Sequence, residues 1–355
     1  MADFFACSRR RLVPPAALLS LIVGIALGRP AVLAFSQIPG LQTNSPVRRG
    51  ATAGNAGQDE SQSSGAQLRL VPVHTRPIRI DVDMVVLNVL VTDSHDRIVT
   101  GLGPSNFEIY DDKVPQRIAA ISGEDTPVSV GIIFNSSGSM ADKIERSKAA
   151  ALQFLKTSNP QDEFMLINFS SGPRLVTAFT ANLDDLQTQL FAMQAGGRTA
   201  LLDAIYLALV KMRNASASRK ALLVISDGGD NHSRYTEGDL RRLVQESGVQ
   251  IYAVGVFTPP GAQRRAQEEV RGPQLLDEIA EESGGRMFST TDASELPAIT
   301  QKISMELRNQ YTIGYKPSNL IRDGRWRRVR VKLNPPNGWT RLHAYSRVGY
   351  YAPAQ

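Results

Sequence analysis

The chain has 355 residues, enough for about two domains, with 42% hydrophobic and 21% charged residues; this excludes a wholly disordered, collagen-like or polytopic membrane protein. The single cysteine, Cys7, excludes a disulfide framework and a thiolate metal site, and His74, His95, His232 and His343 are too scattered to read as a zinc motif. Half of the net charge of +6 comes from residues 1–34, where Arg9, Arg10, Arg11 and Arg29 face only Asp3; the near-neutral remainder is not a general polyanion binder.

Three arginines, an apolar run over 12–28, and Val32 and Ala34 before a cleavage point make residues 1–34 read as a secretion signal. An uncleaved N-terminal membrane anchor is the alternative, although the run is at the short end for a span and opens on Pro14–Pro15. Either way, the rest is expected outside the cytoplasm, secreted, periplasmic or in the cell envelope. Residues 35–75, rich in Gly, Ser, Gln and charge with no apolar period, read as a disordered linker.

Residues 76–126 are β-rich: DMVVLNVLVTD at 83–93, a turn at SHDR, NFEIYDD with Phe107 and Ile109 on one side, and VPQRIAAIS as one further strand. From 127 to 310 the pattern alternates. VSVGIIF (128–134) is a continuous apolar run suited to a buried parallel strand, and a helix is expected over 141–156. Strands follow at 163–169 and, antiparallel to it, at 174–180. A helix at 201–212, a strand at 220–227, a helix at EGDLRRLVQES, a strand at VQIYAVGVF, a helix at 274–284, a strand at GRMFST and a helix at SELPAITQKISMEL complete the series. Such alternation predicts an α/β fold with a doubly wound, mainly parallel sheet. Residues 311–355 are β again, with Pro335, Pro336 and Gly338 expected to turn a hairpin. The two flanking β segments suit the halves of one small sandwich-like module, with the α/β domain inserted between them.

Ligands of doubly wound sheets sit at the carboxyl ends of strands. There this chain places Asn135, Ser136, Ser137, Gly138, Ser139 and Met140 after the first α/β strand, Thr199 on the loop before a helix, and Asp227 at another strand end, followed by Gly228, Gly229 and Asp230. Hydroxyl and carboxylate oxygens are hard ligands suited to Mg²⁺, Mn²⁺ or Ca²⁺.

At these residues the chain resembles the von Willebrand factor type A domain, whose metal-ion-dependent adhesion site reads D-x-S-x-S, then a Thr, then an Asp at a strand end. The resemblance covers roughly 127–308, and the flanking segments are similar to those of bacterial secreted VWFA-related proteins. It implies that Ser137, Ser139 and Thr199 bind Mg²⁺, or else Mn²⁺ or Ca²⁺, that Asp227 acts through a metal-bound water, and that an open position takes an acidic side chain of a protein partner. Ser136, Gly138, Arg198, Asp230 and Asn231 would then face the partner. Asn135 departs from the pattern, because the family has Asp there. Two readings stay open: a weak metal site completed by the partner's carboxylate, or a metal-free site in which the serines cap the following helix.

Residues 316–347 hold nine Lys or Arg against Asp323. Strand 325–332 is then either a charged edge that resists aggregation or a contact with an anionic envelope surface. Nucleic acid is not expected, because the chain reads as exported and carries no such motif. Catalysis is not expected either: Ser137 and Ser139 lack the G-x-S-x-G frame, and Gly196–Gly197 lacks the lysine of a phosphate loop. The expected function is an exported, non-catalytic protein-binding or adhesion module; the alternative is a metal-free structural or scaffolding protein of the envelope.

Overall fold

The structure, a computed structural model, describes residues 84–257, 267–336, 338 and 341–354, with the backbone alone for 267–271. The expected signal and linker, with Cys7 and His74, lie outside the described residues.

The chain opens with β1 (Val85–Asp93), β2 (Phe107–Asp111), β3 (Val114–Gln116) and β4 (Ile118–Ser122). The α/β part follows: β5 (Val128–Asn135), α1 (Ile144–Thr157), β6 (Glu163–Phe169), β7 (Pro173–Thr180), α2 (Leu183–Ala192), α3 (Leu201–Lys211) and β8 (Arg219–Ser226). It continues through α4 (Glu237–Ser247), β9 (Gln250–Val256), α5 (Gln267–Ser283), β10 (Met287–Thr290) and α6 (Leu296–Arg308). The last strands are β11 (Tyr311–Tyr315), β12 (Trp326–Leu333), β13 (Leu342–Tyr345) and β14 (Gly349–Tyr351).

The central sheet runs β10-β9-β8-β5-β6-β7, parallel except for β7. All eight residues of β5 are buried, as an apolar strand covered on both faces requires. Its side chains alternate with the pleat. Ile132 and Phe134 pack with α1 and α6 through Phe154, Leu155 and Leu307, while Ile133 packs with α3 and α4 through Leu201, Ile205 and Leu240. From β5 the chain moves to β6 on one side and later returns to β8 on the other. The strand order therefore reverses at β5, and the crevice beyond its carboxyl end is the place where such sheets bind ligands.

The flanking strands build two four-stranded sheets, β13-β1-β11-β4 and β14-β12-β2-β3, each mixing strands from both ends of the described chain. Leu87, Val89, Phe107, Ile109, Ile313, Tyr315, Val329 and Tyr350 fill the space between them. The expected fold class holds: an α/β domain with a doubly wound sheet, inserted in a small β-sandwich.

Three local expectations are corrected. Helix α2 has no counterpart in the sequence reading, because it buries only Leu186 and Leu190, too thin a stripe to stand out. Residues 114–122 are not one strand. Around Arg117 the chain crosses between sheets, so that β3 pairs with β2 and β4 with β11. Nor does the 335–338 turn close a hairpin: β12 pairs with β2 and β14, whereas β13 pairs with β1. Apolar alternation marks a strand but not the sheet it joins, and a two-sheet sandwich is built by strands that change sheets.

A buried carboxylate ties the sandwich together. Asp111 on β2 accepts the hydroxyls of Tyr315, at 3.0 Å, and Tyr350, at 2.8 Å, so one acid joins strands of both sheets. Burial first, and then Asp111, pushes the Tyr350 hydroxyl up to about 12; the same causes raise Tyr315 further. Hydrogen bonds to a charged group contribute about 1.5–3 kcal/mol each. Asp111→Ala should therefore lower unfolding stability by about 3 kcal/mol in urea titration. Adding Tyr315→Phe and Tyr350→Phe to that variant should cost little more, because the orphaned hydroxyls leave with their partner.

Candidate functional site

Strands β5 and β8 are parallel neighbours, with Phe134 opposite Ile225, so their ends deliver Asn135 beside Ser226 and Asp227. Asn135 is fully buried. Its amide nitrogen donates to Ser226 Oγ and to Asp227 Oδ1, both at 3.0 Å, and its carbonyl oxygen accepts the Ser137 N–H at 2.8 Å. Ser226 Oγ also accepts the Gly228 N–H at 3.1 Å. The hydroxyls of buried Ser137 and exposed Ser139 stand 3.0 Å apart.

The second loop locks onto the first through the backbone. The Gly196 N–H donates to Ser136 O at 2.8 Å, and the Gly138 N–H donates to Gly197 O at 3.0 Å. Gly197 has φ +85°, where a side chain is strained, and a Cβ there would lie 2.8 Å from Ser171 Oγ. The third loop holds Thr199 from both sides. The Thr199 N–H donates to Asn231 Oδ1 at 3.0 Å, while its carbonyl accepts the N–H groups of Asn231, at 2.9 Å, and His232, at 3.1 Å. The structure thus brings Asn135, Ser137, Ser139 and Asp227 into one hydrogen-bonded set and joins the Thr199 segment to it through Gly197 and Gly138.

Of the residues expected to face a partner, Gly138, Arg198 and Asn231 are exposed. Arg198 Nη1 lies 3.4 Å from His232 Nδ1. Ser136 turns inward, which corrects the expectation for it, while Asp230 is half-buried with one carboxylate oxygen engaged. Ser136 is buried and directs both its N–H and its hydroxyl at Phe169 O. Asp230 Oδ1 accepts the Leu201 N–H at 2.8 Å and the Ser233 hydroxyl at 2.6 Å, capping α3 from another loop.

Sequence reasoning missed two further groups. Asp203, in the first turn of α3, accepts the N–H groups of Arg234 and Tyr235 at 2.8 and 3.0 Å and anchors the 230–236 loop. Lys143, in the turn before α1, is buried with its ammonium 3.9 Å from Asp227 Oδ2. Neither carries a sequence signal: each reads as a polar position near a helix start.

Residues 130–302 match the family model of the von Willebrand factor type A domain. The chain carries a von Willebrand factor type A domain. An uncharacterized protein of Borreliella burgdorferi is 25% identical over 168 residues, 43% of this chain and 49% of the relative. The inter-alpha-trypsin inhibitor heavy chain H4 of Bos taurus is 24% identical over 226 residues, 55% of this chain and 22% of the relative. The chain thus spans less than half the length of these curated relatives. Among solved structures, a von Willebrand factor type A protein from Catenulispora acidiphila is 17% identical with a TM-score of 0.44, covering 68% of this chain and 72% of that one. BatB from Bacteroides thetaiotaomicron is 20% identical with a TM-score of 0.40, covering 50% and 98%.

The donor set of this A domain fits a divalent cation only in part. The Ser137–Ser139 spacing of 3.0 Å suits adjacent ligands of an octahedral Mg²⁺ with bonds of about 2.1 Å. The acid beside them does not suit it. Asp227 Oδ1 accepts an amide donor from Asn135, and Oδ2 faces the Lys143 ammonium. A lone carboxylate with an ammonium 3.9 Å away is a poorer host for a double positive charge than a carboxylate with no cation near it.

The interloop cap is testable without any ligand. Asp230→Ala should cost about 1–2 kcal/mol of unfolding stability, the usual loss for a helix cap. Hydrogen exchange should quicken at the Leu201 amide while the β1 amides keep their protection.

Proposed function

We propose that this chain is an exported, non-catalytic protein-binding module whose partner seats on the rim formed by residues 135–139, 196–199 and 227–232. The observation that carries this reading is the interlock of three loops at the point where the strand order reverses. Backbone bonds fix exposed Gly138, Asn231 and His232, and the Arg198 N–H donates to Ser171 Oγ at 2.9 Å, so this exposed set holds one geometry, which lowers the ordering cost of a contact. The type A domain match supports the same reading. The exposed guanidinium of Arg198 favours an acidic side chain on the partner, because paired Arg–carboxylate hydrogen bonds are strong and directional. Export rests on residues 1–34 as a signal, followed by a linker to 75, a first β segment to 126, the A domain over 127–310 and a second β segment to 355.

One observation favours a second reading, as an envelope scaffold. Arg328, Arg330 and Lys332 alternate outward along β12 and, with Lys113, line a concavity of about 900 Å³. That face suits an anionic surface.

Affinity capture from envelope extract separates the two. Arg198→Glu should abolish capture of a rim-bound protein, and Arg328→Glu with Arg330→Glu should leave it intact. Loss through the β12 pair alone, with Arg198→Glu silent, would assign the contact to the sandwich instead.

A further inference from the structure

The acid at the rim has two companions that act together. A carboxylate at position 135 would stand against the Asp227 carboxylate, and two like charges at hydrogen-bond distance require a cation or a proton between them. Asn135 removes that requirement. Its carboxamide has nearly the shape of a carboxylate and still accepts the Ser137 N–H, yet it presents N–H donors to Asp227 and Ser226 at 3.0 Å. The remaining negative charge, on Asp227, is met by Lys143. Both side chains are only about a tenth exposed, 11% and 10%, so the pair is little screened by solvent.

We propose that Asn135 and Lys143 stand in place of a resident divalent cation, so that the rim keeps its shape with no metal bound. The carboxamide ties the end of β5 to the end of β8, and the ammonium supplies the positive charge next to Asp227. Lys143 sits at the entry to α1, directly after the serine loop, so its position is set by the same turn that carries Ser137 and Ser139. Partner binding at this rim is then insensitive to chelators, a consequence that rests on the binding reading above. The charge balance itself does not rest on that reading.

The test uses the full chain, dialysed against EDTA and titrated with MnCl₂ alone. Free Mn²⁺ is read by electron paramagnetic resonance, with MgCl₂ melts in parallel. The native chain should leave the free-ion signal undiminished up to about 1 mM Mn²⁺, the weak end of the range of protein cation sites, and its melting temperature should not move with Mg²⁺. Asn135→Asp combined with Lys143→Met restores an acid pair without its ammonium and should bind Mn²⁺ at least tenfold more tightly than the native chain. Saturable Mn²⁺ uptake by the native chain below about 1 mM overturns the proposal. So does a folded double variant that takes up no more Mn²⁺ than the native chain. If the double variant does not fold, the native titration decides alone. Each of these results leaves the Arg198→Glu capture experiment to be read on its own terms, so failure here and failure of the binding reading are distinguishable.

Discussion

A single carboxamide joins the two strand ends on which the rim is built. Asn135 closes β5, and β8 ends beside it with Ser226 and Asp227; the side chain of Asn135 reaches both of these residues and its own loop at Ser137. It is fully buried, so each of these bonds forms away from competing water. Nothing else in the serine loop has that reach, because Ser136 is directed at β6 and Ser139 is exposed. The geometry of the rim follows from this clamp, together with the backbone bonds that add residues 196–199 and 231–232 to it.

The same economy of polar groups recurs elsewhere. Asp111 holds the two sandwich sheets through a pair of tyrosine hydroxyls. Asp203 and Asp230 hold the loop after β8 to the start of α3. At the junction of sandwich and α/β domain, Arg286 joins Asp96, which follows β1, to buried Glu306 on α6, and its guanidinium lies 4.5 Å from the Tyr345 ring centroid on β13. Asp96, Asp111, Asp203 and Asp230 are each met by more than one donor, whereas Glu306, among the described residues, has Arg286 alone and keeps one buried oxygen without a hydrogen-bond partner.

Much of the α/β architecture was legible because its signals are local. VSVGIIF is an apolar run broken only by Ser129, and a strand of that kind needs cover on both faces. The amphipathic stripes of α1, α4 and α6 announce helices of the covering layers. The sandwich was legible only as strands. Which sheet each joins depends on pairings such as Val85 with Tyr315, whose partners lie more than 200 residues apart, and no local periodicity encodes them.

By itself, the sequence determined the order of elements, the hydroxyl-rich turn after β5, and the placing of Thr199 on the loop before a helix and of Asp227 at a strand end, since apolar period and chain polarity dictate all three. Only the tertiary structure decided what surrounds the acid. Lys143 is an ordinary helix-entry residue until the turn after Met140 swings its ammonium to Asp227, and Asp230 is an ordinary loop acid until α3 presents an open N–H to it. Charge balance and capping arise between side chains that come from separate segments, and such contacts exist only once the chain has folded.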